Sequence, residues 1–298
     1  MANLKRKIEI LCDVALANIY KIRVKYDLQI RHRINVSKNI EPTIIVSLTS
    51  YGHRLRHSVE YTLYSLLKQS LRPGRILVWV YEGEFCNELL PKSLKLLEQY
   101  GIEFHKYPKD IKSYKKLIPA LESYPEYHHI VVDDDIYYTS ELIEELFALH
   151  QVHPQAIIAQ AVDIPLFEND GKTLLPYKKW KQYITVSPDF HYNKQTVMPI
   201  GFGGVFYPKG VFDVEILNSE TYLHLCPMAD DIWFYVNSIR LGIEKIKVIN
   251  SKVRFLPVDL LRQYISRDRL TSTNRKKNEN DTQLENLLNH YDLKICCE

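Results

Sequence analysis

Apolar and polar positions change period along this chain, and the changes mark out its elements. Thr43-Ile-Ile-Val-Ser-Leu-Thr49 is a β-branched run and predicts a buried strand. The polar stretch from Thr49 to Arg54 predicts a loop, and a helix follows over 57–70. Arg75-Ile-Leu-Val-Trp-Val-Tyr81 predicts a second strand, 91–100 a helix, and Ile102-Glu-Phe-His105 a third strand. A helix over 113–123 then leads to His128-His-Ile-Val-Val132, a fourth strand. Strands that alternate with helices build parallel βαβ units, so the fold class is α/β with a Rossmann-like, mostly parallel sheet flanked by helices.

Beyond residue 135 the pattern loosens. A helix is predicted over 140–150 and a strand at 156–161. Residues 163–196 are polar, aromatic and punctuated by Pro165, Pro176 and Pro188, and read as an irregular segment that could cover a substrate. Pro199-Ile-Gly-Phe-Gly-Gly-Val-Phe-Tyr-Pro208 places three glycines where the backbone turns tightly or passes close to a ligand; a hairpin turn reads equally well. A helix begins near Met228 and ends near Gly242, and a polar tail over 274–281 precedes a last helix over 282–291. This divides the chain into an N-terminal extension (1–41), a main domain (42–273) and a C-terminal segment (274–298).

The extension is helical by period. Ile8, Leu11, Cys12, Ala15, Ile19 and Ile22 recur at helical spacing over 4–25. Residues 1–41 hold nine Lys/Arg against four Asp/Glu, a balance of +5, so the rest of the chain carries −2 of the net +3. A basic amphipathic helix suits an anionic membrane surface, packing on its own domain, or contact with a second subunit. A net +3 is too small to argue for nucleic acid. No apolar run is long enough to cross a bilayer, and Glu9 and Asp13 spoil a signal peptide. Five cysteines, an odd count without C-x-x-C spacing, suggest neither a disulfide framework nor zinc. The expected location is the cytoplasm, at most peripheral to the inner face of the membrane.

The chemistry concentrates in two acidic clusters. Asp133, Asp134 and Asp135 follow the fourth strand directly, and open α/β sheets bind ligands at that edge. Packed carboxylates repel one another, and a hard divalent cation such as Mn²⁺ or Mg²⁺ relieves the repulsion and can hold a diphosphate. The alternative is an acidic turn. Asp230 and Asp231 open a later helix, where the helix dipole alone would also favour them. His128 and His129 sit on opposite faces of a strand and cannot both reach one ion. The chain carries no G-x-G-x-x-G and no P-loop lysine motif.

Five segments, in this order, carry a resemblance: Ser47-Leu-Thr-Ser-Tyr-Gly-His-Arg54, Ser113-Tyr-Lys-Lys-Leu-Ile-Pro-Ala-Leu121, Val132-Asp-Asp-Asp-Ile-Tyr-Tyr138, Gly203-Gly-Val-Phe-Tyr-Pro208 and Cys226-Pro-Met-Ala-Asp-Asp-Ile-Trp-Phe234. Over about 43–240 the chain resembles bacterial GT-A-fold glycosyltransferases with a D-x-D motif, and more narrowly those that build surface polysaccharide and lipopolysaccharide. The resemblance implies a metal-dependent transfer of sugar from a nucleotide-sugar donor, UDP-linked as a first guess, to a glycan or lipid-linked glycan. In that reading Asp133 and Asp135 form the D-x-D: Asp135 ligates Mn²⁺ or Mg²⁺, and Asp133 contacts the nucleotide ribose or the metal through water, with Asp134 between them on the donor side. Thr49, Tyr51 and Arg54 lie where the nucleobase is held, and Lys115 or Lys116 approaches the donor phosphates. Gly203 and Gly204 let the backbone pass close to donor sugar and acceptor. Asp231, with its neighbour Asp230, takes the place of the general base of an inverting enzyme. The rivals are a nucleotidyltransferase acting on sugar phosphates, poorly matched by a first loop with one glycine, and a non-catalytic carbohydrate-binding protein on the same fold.

Overall fold

The computed structural model describes residues 2–84, 90–183, 191–258 and 279–296, with side chains from Cys12 onward. A long helix α1 (Ala2–Lys25) runs through a short π-helical turn into β1 (Ile40–Thr49). Then come α2 (Gly52–His57), α3 (Val59–Leu67), β2 (Arg72–Tyr81), α4 (Lys92–Glu98), β3 (Ile102–Tyr107), α5 (Ile118–Ser123) and β4 (His128–Val131). The second half holds β5 (Ile136–Tyr138), α6 (Leu142–Val152), β6 (Ile157–Ala159), β7 (Val162–Ile164), β8 (Lys181–Tyr183), β9 (Met198–Pro199) and β10 (Val205–Tyr207). It ends with α7 (Ser219–Leu225), α8 (Asp230–Arg240), β11 (Lys245–Lys247), β12 (Phe255–Pro257) and α9 (Glu279–His290).

Seven strands form the central sheet in the order β11-β6-β10-β4-β1-β2-β3. β4, β1, β2 and β3 are mutually parallel. β10 alone runs antiparallel, between β4 and β6. The mostly parallel α/β sheet expected from the alternation is therefore present, with one reversed strand in its interior.

Two-residue alternation explains how β1 sits between layers. Ile44, Val46 and Leu48 face one core with α3, while Ile45 faces the other way onto Leu77, Trp79 and Ala120. The polar residue in this run, Ser47, is satisfied by the indole N–H of Trp79 at 3.1 Å. The chain leaves β1 towards β2 and β3 on one side and returns to β4 on the other. The C-terminal ends of β1 and β4 thus flank a switch point, where the sheet opens a crevice.

Part of the stretch expected to be irregular is ordered. β7 pairs with β8 and β9 in a small antiparallel sheet, and Trp180 is buried in the second core. Residues 184–190 of that stretch, and 274–278 of the polar tail, lie outside the described residues.

The N-terminal helix also departs from expectation. Its packed face is Ala17, Val24 and Leu28, which join the core beneath α3. The apolar row that the sequence marks, Cys12, Ala15, Ile19 and Ile22, faces outward instead. No helix among the described residues is long and apolar enough to cross a membrane.

Candidate active site

The site is assembled from three chain segments at the C-terminal edge of β1 and β4. A 3₁₀ turn, Lys112–Lys116, lies over that edge and is tied to the α7–α8 corner. The Tyr114 hydroxyl donates to the Cys226 carbonyl at 2.5 Å, and its ring stacks on Tyr222 with centroids 4.3 Å apart. This corner holds the start of α8, whose residues Ile232 to Val236 are all buried. A helix apolar on every side has no freedom to slide, so the carboxylates of its first turn are fixed in place.

Lys116 is the hub that results. Its ammonium lies 2.8 Å from Asp230 Oδ2, 3.3 Å from Asp231 Oδ1 and 3.7 Å from Asp133 Oδ1. Two acidic clusters separated by about a hundred residues of sequence thus meet on one buried cation. Burial alone would lower the Lys116 pKa, but Asp230, Asp231 and Asp133 outweigh it and raise it well above the ordinary value. The site therefore gathers three carboxyl groups around one fixed positive charge.

The two α8 carboxylates differ. Asp230 is almost closed off, at 9% side-chain exposure, and makes the short contact to Lys116. Asp231 is 25% exposed and accepts a bond from the Gly201 amide at 3.2 Å. Burial pushes the Asp231 carboxyl up to about 7; Lys116 opposes this, while Asp230 and Asp133 add to it. A carboxylate near neutrality that keeps access to solvent has the properties of a general base.

The three consecutive aspartates point to different partners. Asp134 faces inward, accepting from the Ser50 hydroxyl at 2.6 Å and from Arg54 Nη1 at 2.7 Å. Expected on the donor side, it is instead the buried anchor of the loop after β1. Arg54 also reaches Asp135 Oδ2 at 3.2 Å, and its guanidinium lies 5.4 Å from the centre of the Tyr51 ring. Asp133 is the most open of the three, at 37%. Its amide donates to the Tyr138 hydroxyl, which in turn donates to the Phe202 carbonyl, so the aspartate loop is clamped to the glycine segment.

Asp133 and Asp135 are the oxygen donors a hard cation would use. Burial pushes Asp135 up to about 6; Arg54 opposes this, and the neighbouring Asp134 and Asp133 add to it. Carboxylate oxygens are the donor type that Mn²⁺ or Mg²⁺ takes, and here Lys116 faces Asp133 and Arg54 faces Asp135. No group of three or more His, Cys, Asp or Glu among the described residues could hold a metal, so the protein would supply two carboxylates and the ligand or water the rest. His128 and His129 point elsewhere: His129 is buried with Nε2 on the Tyr124 carbonyl, and His128 Nδ1 accepts from the Lys209 amide.

The remaining candidates separate. Lys116 enters the site, whereas Lys115 is held by Asp110. Thr49 closes β1 by donating to the Trp79 carbonyl at 2.9 Å, and Tyr51 beside it is exposed. Gly203 and Gly204 pass close to protein rather than to an open cleft. A Cβ on Gly203 would lie 2.5 Å from that of Ala161, and one on Gly204 would lie 2.8 Å from Leu142 Cδ1. Gly201 is the glycine of the site, since a Cβ there would stand 2.4 Å from Lys116 Nζ and 2.9 Å from Asp231 Oδ1. Gly201 and the clamp residue Tyr138 were not singled out from sequence. The glycine cluster signalled a close approach, but not which of its members makes it.

No protein-family model matches the chain, and no curated protein matches it. Among solved structures, the chain is similar to CMP:2-keto-3-deoxy-manno-octonic acid synthetase complexed with CTP. That match has a TM-score of 0.43 and 10% identity, over 80% of this chain and 100% of the other. It is also similar to S. aureus TarS residues 1–349 in complex with UDP, with a TM-score of 0.42 and 15% identity, over 72% of this chain and 59% of the other.

Proposed function

We propose that this chain is a glycosyltransferase that moves a sugar from a nucleotide-sugar donor, UDP-linked in the first instance, to a hydroxyl of a glycan or lipid-linked glycan, with inversion. The observation that carries the reading is Lys116, which gathers Asp133, Asp230 and Asp231 within 3.7 Å at the sheet edge. One cluster is thereby available for the diphosphate and the other for the acceptor, in a single cleft.

Each group then has a task. Mn²⁺ or Mg²⁺, held by Asp133 and Asp135, would supply positive charge to the departing diphosphate. The Lys116 ammonium sits beside Asp133 and adds fixed charge at the same place. Tyr51 and Arg54 present an aromatic face and a cation for the nucleobase end of the donor. Asp231 removes the proton as the acceptor oxygen bonds to the anomeric carbon. The bond from that carbon to the diphosphate breaks, and the diphosphate leaves with the electron pair. One displacement by one base inverts the centre. Asp230 keeps Lys116 in place and, as a like charge, helps hold Asp231 basic.

The test uses two variants. Asp231→Asn is expected to keep donor binding and lose transfer about 10²–10⁴-fold, since an amide cannot take the proton. Asp135→Ala is expected to lose the Mn²⁺-dependent rise in melting temperature with UDP. Undiminished transfer by the first, or unchanged metal-dependent stabilisation of the second, would overturn the assignment. Release of pyrophosphate from a nucleoside triphosphate and a sugar phosphate would make the protein a nucleotidyltransferase.

A further inference from the structure

We infer that α1 is a docking surface for an anionic lipid bilayer, with a phosphate-binding cavity at its side that receives a lipid headgroup. The inference is independent of the proposed reaction and rests on two separate features.

The first is the outward row on the helix. Ile19 is 59% exposed, Ile22 70%, Tyr26 49% and Ile30 68%, at spacings of three, four and four. These are the largest exposed apolar side chains of the N-terminal segment, and they continue the row begun by Cys12 and Ala15. The helix was free to bury this row, yet it packs through Ala17, Val24 and Leu28 instead. A single exposed isoleucine needs no explanation, but a continuous row does.

The second feature is charge, and it identifies the occupant. Lys21, Arg23, Lys25, Arg33 and Lys38 accompany the row in sequence, while Arg31 is paired with Asp27 at 3.4 Å. The acids that could balance them are already committed. Asp13 is bound by Arg254 at 2.7 Å, and Asp27 is buried beneath the Tyr64 hydroxyl and Arg31. A second protein copy would bring the same positive charge to the contact and be repelled. An anionic membrane supplies the complement.

Beside the row, a cavity of about 410 Å³ opens between α1, α3 and the segment after β5. Tyr20, Arg23, Tyr64, Lys68, Tyr137 and Lys252 line it, with Tyr20 stacked on Tyr137 at 4.2 Å. Arg23, Lys68 and Lys252 face one lining acid, Glu141, which is engaged by the Ser140 hydroxyl; Lys68 also donates to the Asn35 carbonyl at 2.6 Å. Burial, and after it the nearby Arg23, lowers the Lys68 pKa, while Asp27 opposes them. A phosphate between Arg23 and Lys68 would remove the repulsion between these two cations. Tyr20 and Arg23 enter the cavity from the same helix that carries the row. A phosphate bound there therefore belongs to a molecule whose apolar part can follow Ile19 and Ile22.

The experiment is co-sedimentation of the full chain with vesicles of phosphatidylcholine alone and of phosphatidylcholine mixed with phosphatidylglycerol. Binding to the mixed vesicles only is expected. Ile22→Asp should lower partition about tenfold or more, the loss of one buried isoleucine, and Arg23→Gln about fivefold. Both side chains are exposed, and an unchanged melting temperature for each variant would establish that the fold is kept. No binding to the mixed vesicles, or equal binding by Ile22→Asp, would overturn the inference. So would a dimer that Ile22→Asp dissociates, which would make a second copy the occupant. A melting temperature raised by inorganic phosphate without vesicle binding would assign the cavity to a soluble phosphate, and would equally overturn it.

Discussion

Replacing Lys116 with methionine keeps the unbranched stem, one atom shorter, and removes the charge. Three carboxylates, at 2.8, 3.3 and 3.7 Å from the ammonium in the native protein, are then left without it. At an effective dielectric of about 20, each contact is worth roughly 4–6 kcal/mol of gross attraction. Desolvation of the buried ammonium offsets much of that total. Removing one partner of a buried ion pair costs about 3–5 kcal/mol net, which lowers the melting temperature by roughly 5–8 °C for a chain of 298 residues.

The loss has a pH signature with a defined sign. Without Lys116 the folded-state pKa of Asp231 rises further from a start already near 7. The folded variant then binds more protons than the unfolded chain, and its stability falls as pH rises. The deficit should be small near pH 5 and grow as pH rises through about 7. Calorimetric melts of both proteins across this range provide the assay. A second variant carrying Asp230→Asn as well should recover part of the loss at the higher pH. A deficit below about 1 kcal/mol near pH 8, or one that does not change with pH, would refute the view that Lys116 balances these carboxylates.

Other predictions follow from the same structure. Gly201→Ala puts a methyl group against Lys116 Nζ and Asp231 Oδ1; transfer should drop at least about tenfold while the melting temperature moves by only a few degrees, as Lys116 is displaced but not removed. Steady-state rates and a melt would check it. Burial lowers the His129 pKa to about 4, and Nδ1 has no hydrogen-bond partner to receive a proton. A depressed histidine pKa means the unfolded chain binds more protons, so stability is full above the ordinary histidine value and is lost as pH falls from about 6.5 to 4, by about 3 kcal/mol. His129→Gln should flatten that limb of an acid-unfolding curve. Arg54→Ala leaves Asp134 buried without its cation and should cost about 3–5 kcal/mol; equilibrium urea unfolding that shows no loss would mean that Ser50 alone satisfies the carboxylate.

What the sequence determined by itself is what local pattern can carry. Short β-branched and apolar runs marked the first four strands, because a strand buried between two layers needs a continuous apolar run and little else. The aspartates after the fourth strand, and those at the head of α8, marked both clusters, because a strand end and a helix start are places that chain order predicts. Other features are relations between distant segments. β10 inserts backwards between β4 and β6 because the turn at Gly201–Gly204 sends it there, and no local pattern records that reversal. Lys115 and Lys116 are equivalent in sequence; the 3₁₀ turn, pinned by Tyr114 to Cys226, directs one to Asp110 and the other to the site. Asp133, Asp134 and Asp135 are likewise identical as letters. Tertiary packing turns the middle one inward to Ser50 and Arg54 and leaves its neighbours at the cleft. The row on α1 was legible as apolar, but which face of that helix would be covered depended on where α3 and β12 stood. The core accepted Ala17, Val24 and Leu28 and left Ile19 and Ile22 outside.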